Sequence, residues 1–142
     1  MGLDSAFYKQ TYILAYDRDD VECSIDVVVE GKKLDIDPKR LASVRETVVT
    51  MRHCWMIHDW LEKRLGHEIA GDVYIGIDDL KDLEERIGEI LQNHAKAAEL
   101  LPVSSDDDYD ESYFEWLKDI SDELNRFDLT WKPFVSYVYC EW

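Results

Sequence analysis

The sequence predicts an α+β fold: a small antiparallel sheet, formed by the terminal strands and an N-terminal meander, packed against about three helices. Three observations carry this expectation. Apolar and polar residues alternate from Val21 to Val27, the period of a half-buried strand. Aromatic and β-branched residues, which suit a pleated surface, crowd into the two ends of the chain. Between the ends, apolar residues recur every three or four positions, as on an amphipathic helix.

Residues 3–16 contain Phe7, Tyr8, Thr11, Tyr12, Ile13 and Tyr16 and read as the first strand. Asp17-Arg18-Asp19-Asp20 is a polar turn. Val21, Cys23, Ile25 and Val27 then alternate with Glu22, Ser24 and Asp26, and Val29 continues the spacing. Glu30-Gly31 closes a hairpin into Lys32–Ile36, with Gly31 supplying a positive φ, so the meander spans residues 3–36.

At Asp37-Pro38 the period changes, because Asp37 can cap free N–H groups and proline fits the first helical position. Leu41, Val44, Val48, Met51, Trp55 and His58 fall on one stripe, and Ile57, Leu61 and Leu65 widen it toward a stop at Gly66. The spacing predicts one long central helix over residues 37–66. Val73-Tyr74-Ile75 reads as a short strand or an extended lid between Gly71 and Gly76. Asp78 is placed to cap a second helix, with Leu80, Leu83, Ile87, Ile90, Leu91 and His94 on its inner face and Leu100-Leu101-Pro102 at its stop. Asp108 and Glu111 have capping-box spacing before a third helix, whose stripe is Tyr113, Leu117, Ile120, Leu124 and Phe127. Trp131 to Trp142 is an aromatic final strand, placed beside the first or second strand.

The chain of 142 residues is expected to form a single acidic domain over 1–142. A chain near this length buries roughly 68–70% of its unfolded surface, so neither a disulfide nor a metal is needed for stability. Asp and Glu number 32 against 16 Lys and Arg, for a net charge of −16. Such a field repels polyanions, so direct nucleic-acid binding is not expected, whereas a protein with a basic surface fits. Cys23, Cys54 and Cys140 show no paired framework and no metal-ligand spacing, which points to a reducing compartment, the cytoplasm. No apolar stretch is long enough for a membrane span. No cofactor motif is present: Gly66, Gly71 and Gly76 lack the spacing and the lysine of a nucleotide cradle.

Two constellations have the residue types for chemistry or recognition. Cys54 and His58 stand four apart on the expected helix and share a face, as a thiolate–imidazole pair or two metal ligands would. A buried histidine with hydrogen-bonded nitrogens explains the same spacing. Asp106, Asp107, Asp108, Asp110 and Glu111 form an acidic tract that suits a helix N-terminus, a weak cation site or a surface for a basic partner. The tract lacks the glycine and terminal glutamate of a calcium loop. Tyr137, Tyr139 and Trp142 on the last strand are interface candidates, because Tyr and Trp are frequent binding anchors.

Met1-Gly2-Leu3-Asp4, then Arg52 through Ile57-His58-Asp59-Trp60, then Leu100-Leu101-Pro102, Tyr109-Asp110-Glu111 and a terminal tryptophan occur in an order that resembles a family of small uncharacterised phage and prophage proteins. Between Leu-Leu-Pro and Tyr-Asp-Glu this chain is short and acidic, where the family pattern is rich in Gly and Phe. The resemblance implies a phage accessory protein in the host-cell cytoplasm; the high negative charge, the aromatic terminal strands and the lack of a catalytic set lead to the expectation that it binds and modulates or inhibits a host protein, a component of antiviral defence included. Two alternatives stand beside it: a nucleic-acid mimic that blocks a DNA- or RNA-binding protein, and a metal- or thiol-dependent enzyme centred on Cys54 and His58. The assembly state is open, a homodimer included.

Overall fold

The computed structural model describes residues 3–13, 26–37, 40–103, 108–129 and 132–142. Their elements in chain order are β1 (Asp4–Tyr12), β2 (Val28–Val29), β3 (Lys32–Lys33), β4 (Ser43–Arg52), α1 (Trp55–Leu65), β5 (Asp72–Ile75), α2 (Ile77–Gln92), a 3₁₀ turn (His94–Lys96), α3 (Ala97–Leu100), α4 (Glu111–Arg126) and β6 (Val135–Glu141). The fold is α+β. A four-stranded sheet runs in the order β4-β1-β6-β5, and β2 and β3 form a separate small hairpin. Every neighbouring pair is antiparallel.

The central pair is β1 and β6, in register from Ser5↔Glu141 to Thr11↔Val135. The expected neighbourhood of the final and first strands is therefore present. The hairpin turns at Glu30 and Gly31, both at positive φ (51° and 77°), the backbone a tight two-residue connection requires. Its strands do not join the main sheet as a continuous meander would. Residues 14–25, which hold the alternation from Val21 to Ile25, lie outside the described residues, as does Pro38.

The long helix expected over 37–66 is corrected. Residues Ser43–Arg52 are the edge strand β4, and only Trp55–Leu65 is helical. The register passes from Phe7↔Val49 to Tyr8↔Thr47, leaving Val48 as an extra residue. That bulge buries Val48 and Val49 side by side and breaks the period-2 pattern. Val44, Val48 and Met51 thereby acquire helical spacing within a strand. The β-branched run Thr47-Val48-Val49-Thr50 favours the extended form. Gly66 does end α1, at φ 78° in the left-handed region.

The caps also differ from expectation. Asp79, not Asp78, serves the start of α2: its carboxylate accepts the Gly76 N–H at 2.8 Å. Asp110, not Asp108, caps α4 and accepts the Tyr113 N–H at 3.0 Å. Helix α2 ends at Gln92 rather than continuing to Leu100, and a 3₁₀ turn and α3 complete the path.

One face of the sheet packs on the helices. Phe7, Val49, Met51, Ile75, Tyr137 and Tyr139 meet Ile57 and Leu61 of α1, Leu80, Leu83, Ile87 and Ile90 of α2, and Tyr113, Leu117, Ile120 and Leu124 of α4 in one buried cluster. Burial of a side chain of this size contributes roughly 1.5–3 kcal/mol, so this cluster is the main source of cohesion. By alternation, Ala6, Tyr8, Gln10 and Tyr12 of β1 point to the opposite face. There Arg45 reaches from β4 to Gln10 (2.8 Å) and to Asp72 of β5 (3.1 Å), passing over the Tyr8 ring at 5.3 Å.

Candidate functional site

His58 sits on the buried side of α1 with both ring nitrogens engaged. Nε2 lies 2.9 Å from Glu62 Oε1, one helical turn on, and Nδ1 lies 2.9 Å from the Tyr139 hydroxyl on β6. A carboxylate can only accept, so Nε2 carries the proton toward Glu62 and Nδ1 accepts from Tyr139 in the neutral ring. The other Glu62 oxygen accepts the Ile69 N–H at 3.0 Å, which ties the α1–β5 connection into the same chain. Burial pushes the Tyr139 phenol upward, partly offset by the adjacent Ser5 hydroxyl. Ser5 Oγ itself has no hydrogen bond of full geometry among the described residues. The Trp55 ring meets His58 edge-on at 5.9 Å.

Cys54 does not pair with His58. Its thiol donates to the Arg52 carbonyl at 3.3 Å, and burial pushes its pKa up to about 12. Cys140 rises to about 11, through burial first and then the Asp72 carboxylate. A nucleophilic thiol needs a depressed pKa and access, and Cys54 has neither. Among the described residues, no group of three or more His, Cys, Asp and Glu converges as metal ligands. This arrangement orients and locks α1 against β6; it offers no exposed nucleophile beside a base.

The aromatic interface candidates separate. Tyr137 and Tyr139, candidates for an interface, are 3% and 0% exposed and belong to the helix-facing side of the sheet. They are corrected to core residues: Phe7 lies against Tyr139 at 5.2 Å, and Ile75 stands opposite Tyr137. Trp142 is 62% exposed. The exposed tyrosine on β5 is Tyr74, whose hydroxyl lies 3.2 Å from that of Tyr12.

The acidic tract divides too. Asp106 and Asp107 lie outside the described residues. Asp108 is exposed, Asp110 is used as the α4 cap, and Glu111 opens that helix facing solvent. The flanks of the tract are pinned: Val103 N–H donates to the Tyr109 hydroxyl at 3.1 Å, and the Tyr113 hydroxyl donates to the Leu101 carbonyl at 2.9 Å.

Glu111 borders a groove of about 710 Å³ between α4 and the end of α2. Its floor is Leu91 and Phe114, with the His94 ring stacked on Phe114 at 3.8 Å and only 9° from parallel. Glu111, Glu115 and Asp122 supply carboxylates along the rim, and Lys118 supplies an ammonium. His94, expected on the inner face of α2, stands instead on the exposed 3₁₀ turn. Phe114 falls one position beyond the apolar stripe of α4 and is half-buried at the edge of the core. On the other flank of α4, Trp116, Asp119, Ile120 and Glu123 border a cleft of about 330 Å³ against the last part of β4.

Two carboxylates on α2 are paired with arginines. Arg64 contacts both Asp79 and Asp82, and Arg86 contacts Asp82 at 2.8 Å. Both guanidinium groups also lie over Trp60, at 5.7 and 5.9 Å from its centroid. Among the described residues, no helix is long and apolar enough to cross a membrane. No family model, curated protein or solved structure matches the chain.

Proposed function

We propose that this chain is a non-catalytic binding protein whose partner is a protein with a basic surface. The observation that supports this most directly is the groove beside α4, where an apolar floor at Leu91 and Phe114 lies under carboxylates of Glu111, Glu115 and Asp122. Apolar contact supplies affinity there, and the surrounding charge selects the sign of the partner. The whole-molecule charge of −16 adds long-range attraction of the same sign. The buried, raised thiol of Cys54 and the fully engaged ring of His58 favour binding over a thiol- or metal-dependent reaction.

The resemblance to small phage proteins supports a host protein as that partner, with modulation or inhibition of an antiviral defence component as the outcome. Mimicry of nucleic acid is the weaker reading, because Arg64 and Arg86 tie down Asp79 and Asp82 on α2. A row of phosphate-like charges needs free carboxylates.

The test is capture of a partner from bacterial lysate by the immobilised, folded chain over a series of salt concentrations. One specific protein is expected at low salt, released progressively as ionic strength screens the contact. Recovery of nothing above background, or tight retention of DNA or RNA instead, would falsify the proposal.

A further inference from the structure

We infer that the α2–α4 groove docks a basic amphipathic helix of the partner, an inference that rests on the binding reading above and gives it a location. The groove runs along α4, which supplies five of its lining residues, with Leu91 at the end of α2 and His94 of the 3₁₀ turn on its other side. Glu111, Phe114, Glu115, Lys118 and Asp122 recur at spacings of three and four on α4, so they line one flank of the groove. From Glu111 to Asp122 the helix rises about 16 Å, the length of about three turns of an incoming helix. A helix laid in a groove is read through apolar anchors at i, i+3, i+4 and i+7. Leu91 and Phe114 offer the floor for such anchors, and Phe114 is held in place by the His94 ring stacked on it.

The charges decide which helix fits. Three of the four charged groups at the rim are carboxylates, so arginine or lysine flanking the apolar anchors is favoured there. A second copy of this chain would bring its own net charge of −16 to the same rim and be repelled. A nucleic-acid strand has the same wrong sign. A compact small molecule is a poorer match, because the polar groups stand around an open rim instead of converging on one point.

The probe is a synthetic peptide of leucine and arginine patterned as an amphipathic helix, titrated into the full chain. Calorimetry gives the affinity, and backbone amide NMR shifts give the location. Two controls accompany it: a scrambled peptide of the same composition, and sedimentation of the chain alone.

Binding of the patterned peptide, with shifts confined to α4 and the end of α2, is the expected result. Phe114→Ala is expected to weaken binding by about thirtyfold, as for the loss of a central anchor. Glu115→Lys, at an exposed position, is expected to weaken it by about tenfold without disturbing the fold. Asp35→Lys makes the same charge change at an exposed site that does not border the groove and is expected to leave affinity within about twofold.

Equal losses from Glu115→Lys and Asp35→Lys, or equal binding of the scrambled peptide, would mean diffuse charge attraction and overturn the groove while leaving a basic partner in place. Absence of peptide binding overturns the groove as well. A dimer that Phe114→Ala converts to monomer makes a second copy the occupant and also overturns it. Failure of the lysate capture, by contrast, removes the wider binding reading.

Discussion

His58 and His94 each lie against aromatic rings, yet the two regions use the contact for different ends. His58 is 5% exposed and spends both nitrogens on Glu62 and Tyr139, so its polarity is absorbed in joining α1 to β6. His94 stands on an exposed turn and covers one face of Phe114 at the floor of an open groove. The difference shows that a polar group beside an aromatic ring is available to a partner only where the fold has not already satisfied and enclosed it. A histidine in the core reports on cohesion; one at a groove reports on what can enter.

The sharpest way to break this contrast is His58→Ala. It removes two hydrogen bonds and leaves the buried Tyr139 hydroxyl without its partner. Destabilisation of about 2–4 kcal/mol is expected in a denaturant titration. A loss below about 0.5 kcal/mol, within the range of ordinary surface changes, would show that the polar chain does not hold α1 to the sheet.

A second measurement concerns the thiol next to that chain. Burial disfavours the thiolate and pushes Cys54 in the folded state up to about 12, from 9.0 for a free thiol. The unfolded chain therefore loses this proton first, and stability declines as pH rises from 9.0 toward about 12. The buried phenols of Tyr113 and Tyr139, raised above 10.0 by the same cause, act in the same direction. Denaturant midpoints measured across this range are expected to fall, and less steeply in Cys54→Ala. Alkylation of Cys54 near neutral pH is expected only at the rate of unfolding.

The smallest effect is expected at the groove. Glu115→Lys faces solvent on α4 and is expected to change stability by no more than about 0.5 kcal/mol. Thermal denaturation checks this, and a larger loss would mean that the rim contributes to the fold as the His58 region does.

The sequence showed most where one residue's periodicity belonged to one element. Tyr113, Leu117, Ile120 and Leu124 are all buried on α4, and Leu80, Leu83, Ile87 and Ile90 on α2, as their spacing predicts. Legibility failed at β4, where a single extra residue at Val48 shifted the alternation into a helical rhythm. A bulge depends on the partner strand, so local spacing alone does not reveal it; the β-branched run Thr47–Thr50 was the available clue. The sites followed the same rule. His58 as a hydrogen-bonded core residue was among the readings of its stripe, but its partner Tyr139 lies 81 positions away and needed the sheet to bring it there. Glu111 was marked by charge, whereas the groove beside it needed α2 and α4 to be placed together.

The placement of β1 and β6 at the centre of the sheet bears on how this molecule is made. Ser5 meets Glu141, and the Trp142 N–H donates to the Asp4 carbonyl at 2.9 Å, so strands from opposite ends of the described chain close the structure. A nascent polypeptide must hold β1 unpaired on its β6 side until residues 135–141 are synthesised. Its helices can form early, but the interior seals late, which makes folding slow and exposes Phe7 and its neighbours to premature association.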